Sequence, residues 1–293
     1  MNTESLYNAK GQLIRTTQGS LVARFKYDAF GRLYRTTTDN PATGERVVTR
    51  QAYDGFGREI KRISDVAGKV LEQTQEWRAD DQIERRVQTL DGVVQLDESF
   101  TYDLRGRVQI QQCTGGSLPV DRYGNAITTQ MFVYDALNNP RMSTTRFAAG
   151  GTDRAQYTYN PDDPCQLVKV VHDHADYALE EYRYDADGNL LNDERGRILR
   201  YDALGRLLEV TSGGAAGKVL GSYLYDGHDH LTSQFDAAGN EVHRFYEGYR
   251  LHHELSVTGT LHYLHVDDTP LGEHQADQPH AARLLLASAI GTV

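Results

Sequence analysis

Residues 27–33 read Tyr-Asp-Ala-Phe-Gly-Arg-Leu, and residues 201–207 repeat the phrase as Tyr-Asp-Ala-Leu-Gly-Arg-Leu. Further copies keep this frame with substitutions at residues 53–59, 102–108 and 184–190, and degenerate copies begin at Tyr7, Tyr134, Tyr159, Tyr225 and Phe235. Five intervals between successive Tyr starts are 20 to 26 residues long, those from Tyr7 to Tyr27, Tyr27 to Tyr53, Tyr134 to Tyr159, Tyr159 to Tyr184 and Tyr201 to Tyr225. A phrase that recurs at a nearly constant spacing indicates structural units that stack side by side.

One interval is twice the usual length. Tyr53 and Tyr102 are 49 residues apart, so we expect one decayed copy between them. The stretch at residues 65–70 keeps only an Asp-x-x-Gly turn, and we interpret it as the remnant of that copy.

Each copy has the composition of a hairpin. An Asp at the first turn position accepts hydrogen bonds from backbone amides ahead of it, and the Gly three residues later tolerates positive φ. The flanks alternate apolar and polar residues, as at 25–27 before a turn and 208–210 after one. This alternation predicts half-buried strands. We therefore predict an all-β fold of stacked antiparallel hairpins that form one long sheet with one apolar face.

The other repeated side chains also have structural explanations. The chain has 18 Tyr against 8 Phe, and the excess lies at the strand end before each turn. There a Tyr ring buries area while its hydroxyl finds a polar partner, and the Arg after the Gly lies across the Tyr of a neighbouring unit. We predict structural rather than catalytic roles for Tyr27, Asp28, Gly31, Arg32, Tyr53, Asp54, Gly57, Arg58, Tyr102, Asp103, Gly106, Arg107, Tyr134, Asp135, Tyr184, Asp185, Gly188, Tyr201, Asp202, Gly205, Arg206, Tyr225 and Asp226.

Composition excludes several classes of function. The net charge of −10, from 31 basic and 41 acidic residues, argues against a broad nucleic-acid-binding face. No apolar run approaches the roughly 18 residues of a membrane helix. The first residues lack the pattern of a signal peptide.

Cys113 and Cys165 form neither a disulfide framework nor a Cys-x-x-Cys site, which leaves a single bridge or two separate thiols.

Histidines are the residues that most invite a chemical role. All 11 fall between His172 and His280, and two His-x-His pairs occur, at 172–174 and 228–230. Residues i and i+2 of a strand share a face, so such a pair suits a metal. We favour surface or turn histidines, because His230 and Asp229 replace the Arg and Gly of a repeat. The groups at 252–253 and 262–265 show no third ligand at a telling spacing, so we predict neither a metal nor a cofactor.

Signatures of catalysis are missing from the sequence. It has no Gly-x-Ser-x-Gly elbow, and no Gly-rich segment that links a strand to a helix as phosphate loops do. The carboxylates are spread through the turns. We therefore predict that the protein is not an enzyme.

The repeat pattern covers residues 1–266, and the rest of the chain is different. Alternation fades into a polar stretch at 267–279, where we expect a loop. Residues 284–293 fit either a short helix or a strand with a degraded turn, in which Ser288 and Gly291 take the Asp and Gly positions. On the second interpretation the segment 267–293 is a truncated end, and we expect the chain to be a piece of a longer protein.

These phrases resemble the YD repeats of the RHS family, which includes bacterial polymorphic toxins, the C components of insecticidal Tc toxin complexes, and the teneurins. The stretches at 116–125, 132–139, 174–177 and 184–193 look most like Tc toxin C components. The resemblance implies that the hairpins form part of a hollow spiral β-shell, which in the family encloses a C-terminal toxic domain. The family's core with cleaving aspartates has only a superficial echo at 267–272, so no protease residues are carried over.

Three functions follow from these observations. The first is a structural segment of a toxin-encapsulating shell, with other shell segments, a Tc-type B component and an enclosed toxin polypeptide as partners. The second is a carbohydrate-binding module that holds glycans on an exposed Tyr face, and the third is a remnant of a larger toxin gene. Tyr rings buried between strands would favour the structural shell segment over the carbohydrate-binding module. We expect a protein that is secreted or associated with a toxin complex, cytoplasmic before export, without nucleic-acid partners or a membrane span.

Overall fold

A computed structural model describes residues 3–214, 217–266, 269–276 and 278–285. All regular elements in these ranges are strands. They are β1 Thr3–Tyr7, β2 Leu13–Gln18, β3 Leu21–Tyr27, β4 Leu33–Asn40, β5 Glu45–Tyr53, β6 Glu59–Val66, β7 Lys69–Trp77, β8 Ile83–Leu90, β9 Val93–Tyr102, β10 Val108–Thr114, β11 Ile127–Tyr134, β12 Pro140–Phe147, β13 Thr152–Tyr159, β14 Leu167–Val171, β15 Glu180–Glu181, β16 Ile198–Tyr201, β17 Leu207–Thr211, β18 Val219–Tyr225, β19 Leu231–Asp236, β20 Glu241–Glu247, β21 Arg250–Ser256, β22 Gly259–Val266, β23 Thr269–Gln275 and β24 Gln278–Leu284.

The strands follow one another in sequence order and pair antiparallel, which confirms the all-β hairpin prediction. They form two sheets, β1 to β15 and β16 to β24, and the expectation of one continuous sheet was wrong. The break lies between β15 and β16, where the described pairing is reduced to isolated bridges, Tyr184 with Leu190 and Asn192 with Ile198. Two closely spaced turns in that stretch, at 185–189 and 193–197, leave too few residues for full strands.

Backbone proximity divides the chain into two compact units. The first unit comprises residues 1–75, 88–93 and 224–293, and the second comprises residues 76–87 and 94–223. Each unit therefore combines segments that are distant in sequence.

The core of the first unit joins β3 to the last three strands. Leu21, Ala23 and Phe25 alternate along β3 with more exposed neighbours, as period-two patterning requires, and they pack with Leu264 of β22 and Leu271 of β23. Leu21, Ala23 and Leu264 are essentially inaccessible to solvent. Burying a leucine side chain fully contributes about 1.5–3 kcal/mol to stability, so this cluster is a large part of the unit's cohesion.

The polar stretch predicted to be a loop contains two strands instead, β23 and β24. Leu271 and Ala282 supply the apolar contacts to the core that hold these strands in place. Pro270 lies opposite His265 at a register shift of the ladder, a position in which proline is tolerated. The predicted degraded turn at Ser288 and Gly291 lies outside the described residues, and the division of the chain at residue 266 stays a prediction.

The second unit buries apolar side chains from β10 to β14. They are Cys113, Ile127, Phe147, Ala155 and Val170. Cys113 is a free, buried thiol and Cys165 is a free, exposed one, so the alternative of a single disulfide bridge is wrong.

The interpretation of the Asp-x-x-Gly stretch at Asp65 as the remnant of the decayed copy is wrong. Asp65 and Val66 still belong to β6, and a two-residue turn at Ala67 and Gly68 connects them to β7. Both turn residues have positive φ, 52° and 82°, as hairpin turns of this length require. The decayed copy lies at residues 77–83, where Trp77 replaces the Tyr at spacings of 24 and 25 residues from Tyr53 and Tyr102.

Candidate functional site

The repeated turn is a hairpin with a three-residue loop, and the turn at Asp28 shows its geometry. The N–H of Asp28 donates to the carbonyl of Arg32 at 2.9 Å, and the N–H of Gly31 donates to the carbonyl of Asp28 at 3.0 Å. Gly31 has φ +83°, the left-handed conformation that closes such a loop. The carboxylate Oδ1 of Asp28 accepts the N–H groups of Phe30 and Arg32, both at 2.9 Å. The side chain of Asp28 thus stabilises the turn by accepting hydrogen bonds from two of its backbone N–H groups.

In the copy at Asp28, an arginine links the turn to the next one. Nε of Arg32 donates to Oδ2 of Asp28 at 2.7 Å, which fixes the guanidinium. The guanidinium carbon then lies 4.8 Å from the ring centre of Tyr53, and NH1 lies 3.4 Å from the carbonyl of Asp54. We call this set of Asp, Arg and next-unit Tyr contacts the turn clamp.

The tyrosine hydroxyl completes the turn clamp in the reverse direction. Tyr53 donates from its hydroxyl to the carbonyl of Leu33 at 2.6 Å, and Tyr27 donates to the carbonyl of Leu13 at 2.9 Å. Both acceptors directly follow the turn of the preceding unit. Both Tyr residues are half-buried. Each hydroxyl therefore links two hairpins, and the ring of Tyr53 also packs against the guanidinium of Arg32.

The same contacts occur in the second unit. Arg107 pairs with Asp103 at 2.6 Å, lies 4.5 Å from the ring centre of Tyr134, and donates to the carbonyl of Asp135 at 2.9 Å. The Tyr134 hydroxyl donates to the carbonyl of Val108 at 2.8 Å. Because the two units share no residues, the clamp is a property of the repeat.

The remaining predicted repeat residues occupy equivalent positions. Arg58 and Arg206 each pair with the turn carboxylate four residues earlier at 2.7 Å, and Gly57, Gly106, Gly188 and Gly205 all have positive φ. In the copy at Tyr184, Asn189 replaces the Arg and donates to Asp185 at 3.0 Å, and the Tyr184 hydroxyl donates to Leu167 at 2.7 Å. Tyr201 and Tyr225 are half-buried like the other repeat tyrosines. The predicted residues are thus distributed along the chain and do not converge on one pocket.

Sequence reasoning did not count the turn from Asp121 to Asn125 as a copy, although it has the same hydrogen bonds. It also missed two further copies. At Trp77 the turn closes with Arg78 and Gln82 in the Asp and Arg positions, Asp81 takes φ +62° in place of Gly, and Gln82 donates to the carbonyl of Gly106 at 2.8 Å. The second copy runs from Asp193 to Arg197, which pair at 2.5 Å. The constant spacing around Trp77 and the Asp-x-x-Gly-Arg letters at 193–197 were the available signals.

His230 stands in for an arginine of the clamp. Nδ1 of His230 lies 3.0 Å from Oδ2 of Asp226, and its ring stacks on Tyr246 with centroids 4.7 Å apart. Asp229 takes φ +67° in the Gly position, and the Tyr246 hydroxyl donates to the carbonyl of Leu231 at 3.0 Å. His230 is therefore part of the turn clamp, as its place in the repeat suggested.

The turns lower the pKa of their carboxyl groups. The side-chain hydrogen bond from Arg107 lowers the pKa of Asp103 below its ordinary value of 3.8, and backbone N–H donors add to the effect despite some desolvation. Desolvation by burial raises the pKa of Tyr53 and Tyr134, and it raises that of Tyr159 to about 12. At neutral pH the carboxylates are charged and the tyrosines protonated, which are the forms that the clamp needs.

The first flagged His-x-His pair takes part in a network of buried charges. His172 lies between two carboxylates, with Nδ1 at 2.7 Å from Asp153 and Nε2 at 3.2 Å from Glu180. Arg122 pairs with Glu180 at 2.6 Å, and His174 packs against Tyr177. Both histidine rings contact Tyr177, while the two nitrogens of His172 face the carboxylates of Asp153 and Glu180.

Three histidines that the sequence analysis dismissed come together in the first unit. His252 and His253 lie on β21 and His262 on β22, and one ligand atom from each falls within 4.8 Å of the others. His253 is directly opposite His262 in the ladder, and the ring of His274 on β23 stacks behind His262 at 5.3 Å. Among the described residues this is the one group of three or more metal-ligating side chains so close together.

A β-bulge brings His252 into this group. Phe245 pairs with His253 and Tyr246 pairs with Leu251, so His252 is an extra residue on β21. Successive residues of a regular strand point to opposite faces, whereas a bulge re-aims a side chain. Here Nδ1 of His252 lies 2.9 Å from Nδ1 of His253.

Burial makes His262 a neutral imidazole. It is 8% exposed. Desolvation by burial lowers the pKa of His262 to about 4. Its Nδ1 has no hydrogen-bond partner among the described residues. Nδ1 of His262 is therefore either an acceptor without a donor or an N–H group without an acceptor.

A search for membrane-spanning helices within the described residues found none that is long and apolar enough.

Two family models match the sequence. The teneurin YD-shell model matches residues 58–262, and the RHS repeat model matches residues 7–46. A comparison with curated protein sequences found no match.

Solved structures of Tc toxin complexes share the fold. TcdB2-TccC3-Cdc42 aligns with a TM-score of 0.65 at 15% identity, and TcdB2-TccC3-TEV aligns with a TM-score of 0.66 at 14% identity. The Photorhabdus luminescens Tc holotoxin pore, which carries a TccC3 mutation, aligns with a TM-score of 0.63 at 15% identity. Each alignment covers 99% of this chain but only 16–17% of the other chain. The chain therefore corresponds to a small part of those larger polypeptides.

Proposed function

The chain belongs to the teneurin YD-shell family, and from this premise we propose that it is a structural segment of a toxin-encapsulating shell wall, without catalysis of its own. The similarity of fold to Tc toxin structures supports a wall of the RHS/Tc type.

The turn clamp is the observation that carries this proposal. The repeated carboxylates, arginines and tyrosines, which would be the candidates for acid-base chemistry, are engaged in contacts between hairpins. Arg32 contacts its own turn and the next one, and Tyr53 reaches back to Leu33. The full clamp occurs at Arg32 and Arg107, and other copies have Asn, His or Gln in place of the Arg. Such related contacts between successive hairpins suit an extended wall.

The proposed partners follow from the size of the match. A segment that corresponds to 17% of a longer chain would pair through its end strands with further wall segments. The similar solved structures are complexes named for TcdB2 and TccC3, which supports a Tc-type B component as a partner. We extend the proposal to an enclosed toxin polypeptide as a partner and to a secreted toxin complex as the place where the protein acts.

The geometry of the tyrosines favours the wall over the carbohydrate-binding alternative. Sugar binding needs aromatic faces open to solvent, but the rings of Tyr53 and Tyr134 are half-buried beneath Arg32 and Arg107. Their hydroxyls are hydrogen-bonded to backbone carbonyls. The repeat tyrosines are thus engaged within the sheet.

Electron microscopy combined with protease protection tests the proposal. The polypeptide encoded by the complete reading frame around this chain would be imaged, and then digested with and without denaturant. We expect a hollow particle that shields an internal segment until the denaturant opens it. A particle without a lumen, or an internal segment cleaved as fast as in denaturant, would overturn the shell role.

A glycan array and a screen for hydrolytic activity test the alternatives on the 293-residue chain. We expect neither saturable binding nor turnover. Saturable glycan binding that is lost in Tyr53→Ala but kept in a variant of a tyrosine outside the repeat, such as Tyr249→Ala, would favour the binding module.

A further inference from the structure

We propose that His252, His253 and His262 form a binding site for a divalent transition-metal cation, with Zn²⁺ the best-matched ion, that joins β21 to β22. The geometry of three converging imidazoles carries this inference. It stands independently of the proposed wall function, because it concerns one local site in the first unit.

The β-bulge is the first argument. A regular β21 would send the side chains of His252 and His253 to opposite faces. The extra residue instead brings their Nδ1 atoms to 2.9 Å, on the side where His253 faces His262. Other hairpins of the repeat have an equivalent bulge, with Tyr34 and Ile60 as the extra residues. The particular feature of β21 is that the bulged residue is a histidine next to another histidine.

The unmatched nitrogen of His262 is the second argument. Its ring is buried, and Nδ1 lacks a hydrogen-bond partner among the residues that the structure describes. A buried polar atom without a partner is unfavourable, and such atoms in native proteins often indicate a missing ion or water. A cation bound at Nδ1 of His262 would give this nitrogen the partner that it lacks.

The distances and ligand type fit zinc. Nitrogens at the usual 2.0–2.1 Å from a tetrahedral Zn²⁺ lie about 3.3 Å from one another. The Nδ1 atoms of His252 and His253 lie 2.9 Å apart, and one ligand atom from each of the three residues lies within 4.8 Å of the others, so the rings are close enough to share one ion. Imidazole suits Zn²⁺, Cu²⁺ and Ni²⁺ better than Mg²⁺ or Ca²⁺, which prefer oxygen. Three protein ligands leave a fourth position for water or another donor.

A purely structural aromatic row is the competing explanation. Phe245, His253, His262 and His274 stack across four neighbouring strands, with adjacent centroids 4.2 to 5.3 Å apart. This row accounts for three of the histidines by packing alone. It does not account for His252, which reaches the cluster through the bulge and contacts His253 and His262 edge-on.

Metal titration of the full chain, purified without a histidine tag, tests the site. The chain is treated with chelator, dialysed, and titrated with Zn²⁺ by calorimetry at neutral pH, with Co²⁺ absorption as a second readout. We expect one equivalent of Zn²⁺ and an intense tetrahedral Co²⁺ spectrum. In His262→Gln and in His252→Gln we expect the affinity to fall at least tenfold, since even outer-shell partners of a metal contribute about 10–100-fold.

His228→Gln is the matched control, because His228 is exposed and lies in a turn outside the cluster. It should bind Zn²⁺ like the parent chain. Circular dichroism without metal shows whether each variant folds. If His262→Gln does not fold, the His252→Gln variant still tests the site, because His252 is more exposed and its replacement should disturb the fold less. Absence of a one-equivalent site in the parent, or equal affinity in the folded His252→Gln variant, would overturn the proposal.

Discussion

The guanidinium carbon of Arg107 lies 4.5 Å from the ring centre of Tyr134, one repeat further along the chain. The same arginine pairs with its own turn carboxylate, Asp103, at 2.6 Å. One side chain thus closes its hairpin and secures the next. Arg32 repeats this relationship with Asp28 and Tyr53 in the other unit.

Replacing Arg107 should reduce stability. Arg107→Ala removes a cation–π contact, which should cost about 0.5–1 kcal/mol, and it also leaves the carboxylate of Asp103 without its side-chain partner. Urea unfolding followed by circular dichroism measures the change. Arg146→Ala on the exposed face of β12 is the control, and equal effects of the two substitutions would contradict a specific role for the clamp.

The tyrosine hydroxyl has its own contribution. Tyr134→Phe keeps the ring beneath Arg107 but leaves the carbonyl of Val108 without this donor. We expect a loss of about 1 kcal/mol in the free energy of unfolding. Tyr249→Phe, at a ring that is 88% exposed, should change the free energy little. A fully stable Tyr134→Phe variant would show that the hydroxyl contributes nothing.

Two glycines in one turn should respond in opposite ways. Gly57 has φ +89°, so Gly57→Ala forces an L-residue into the left-handed region at a cost of about 1–2 kcal/mol. Gly55 is not among the residues with positive φ, and an added Cβ meets nothing within 4 Å. Gly55→Ala should therefore stabilise the chain by about 0.4–1 kcal/mol through the unfolded state. Thermal unfolding of the two variants compares these effects, and a destabilised Gly55→Ala would contradict the turn geometry.

Acid should weaken the turns. The pKa of Asp103 and of Asp185 is lowered in the folded chain, chiefly by hydrogen bonds from Arg107 and Asn189 respectively. A carboxyl with a depressed folded pKa adds stability above its unfolded value, ordinarily 3.8, and that stability is lost as the pH falls through the folded value. The urea midpoint should therefore drop on going from pH 5 to pH 3.

Asp103→Asn is the variant that isolates this effect. It should lower stability at pH 7 and show a smaller drop between pH 5 and pH 3 than the parent chain. A parent midpoint that rises on acidification would contradict the sign of the effect.

Much of the fold could be predicted from residues that lie close together in the sequence. Asp, Gly and alternating flanks specify each hairpin within a few residues, and so the antiparallel strands and the Arg-over-Tyr contact were predictable. The copy at Trp77 was missed because all four defining letters had changed while the backbone of the turn persisted. Spacing was the better guide there than residue identity.

The sequence by itself determined the repeat, the turns and the all-β class, because these depend on interactions between residues close along the chain. Tertiary structure decided what depends on distant pairing. β23 and β24 are strands because Leu271 and Ala282 pack with Leu21 in a common core, although the sequence around these two residues is polar. His252, His253 and His262 meet because of a bulge and a cross-strand register, and neither is encoded in the spacing of the histidines.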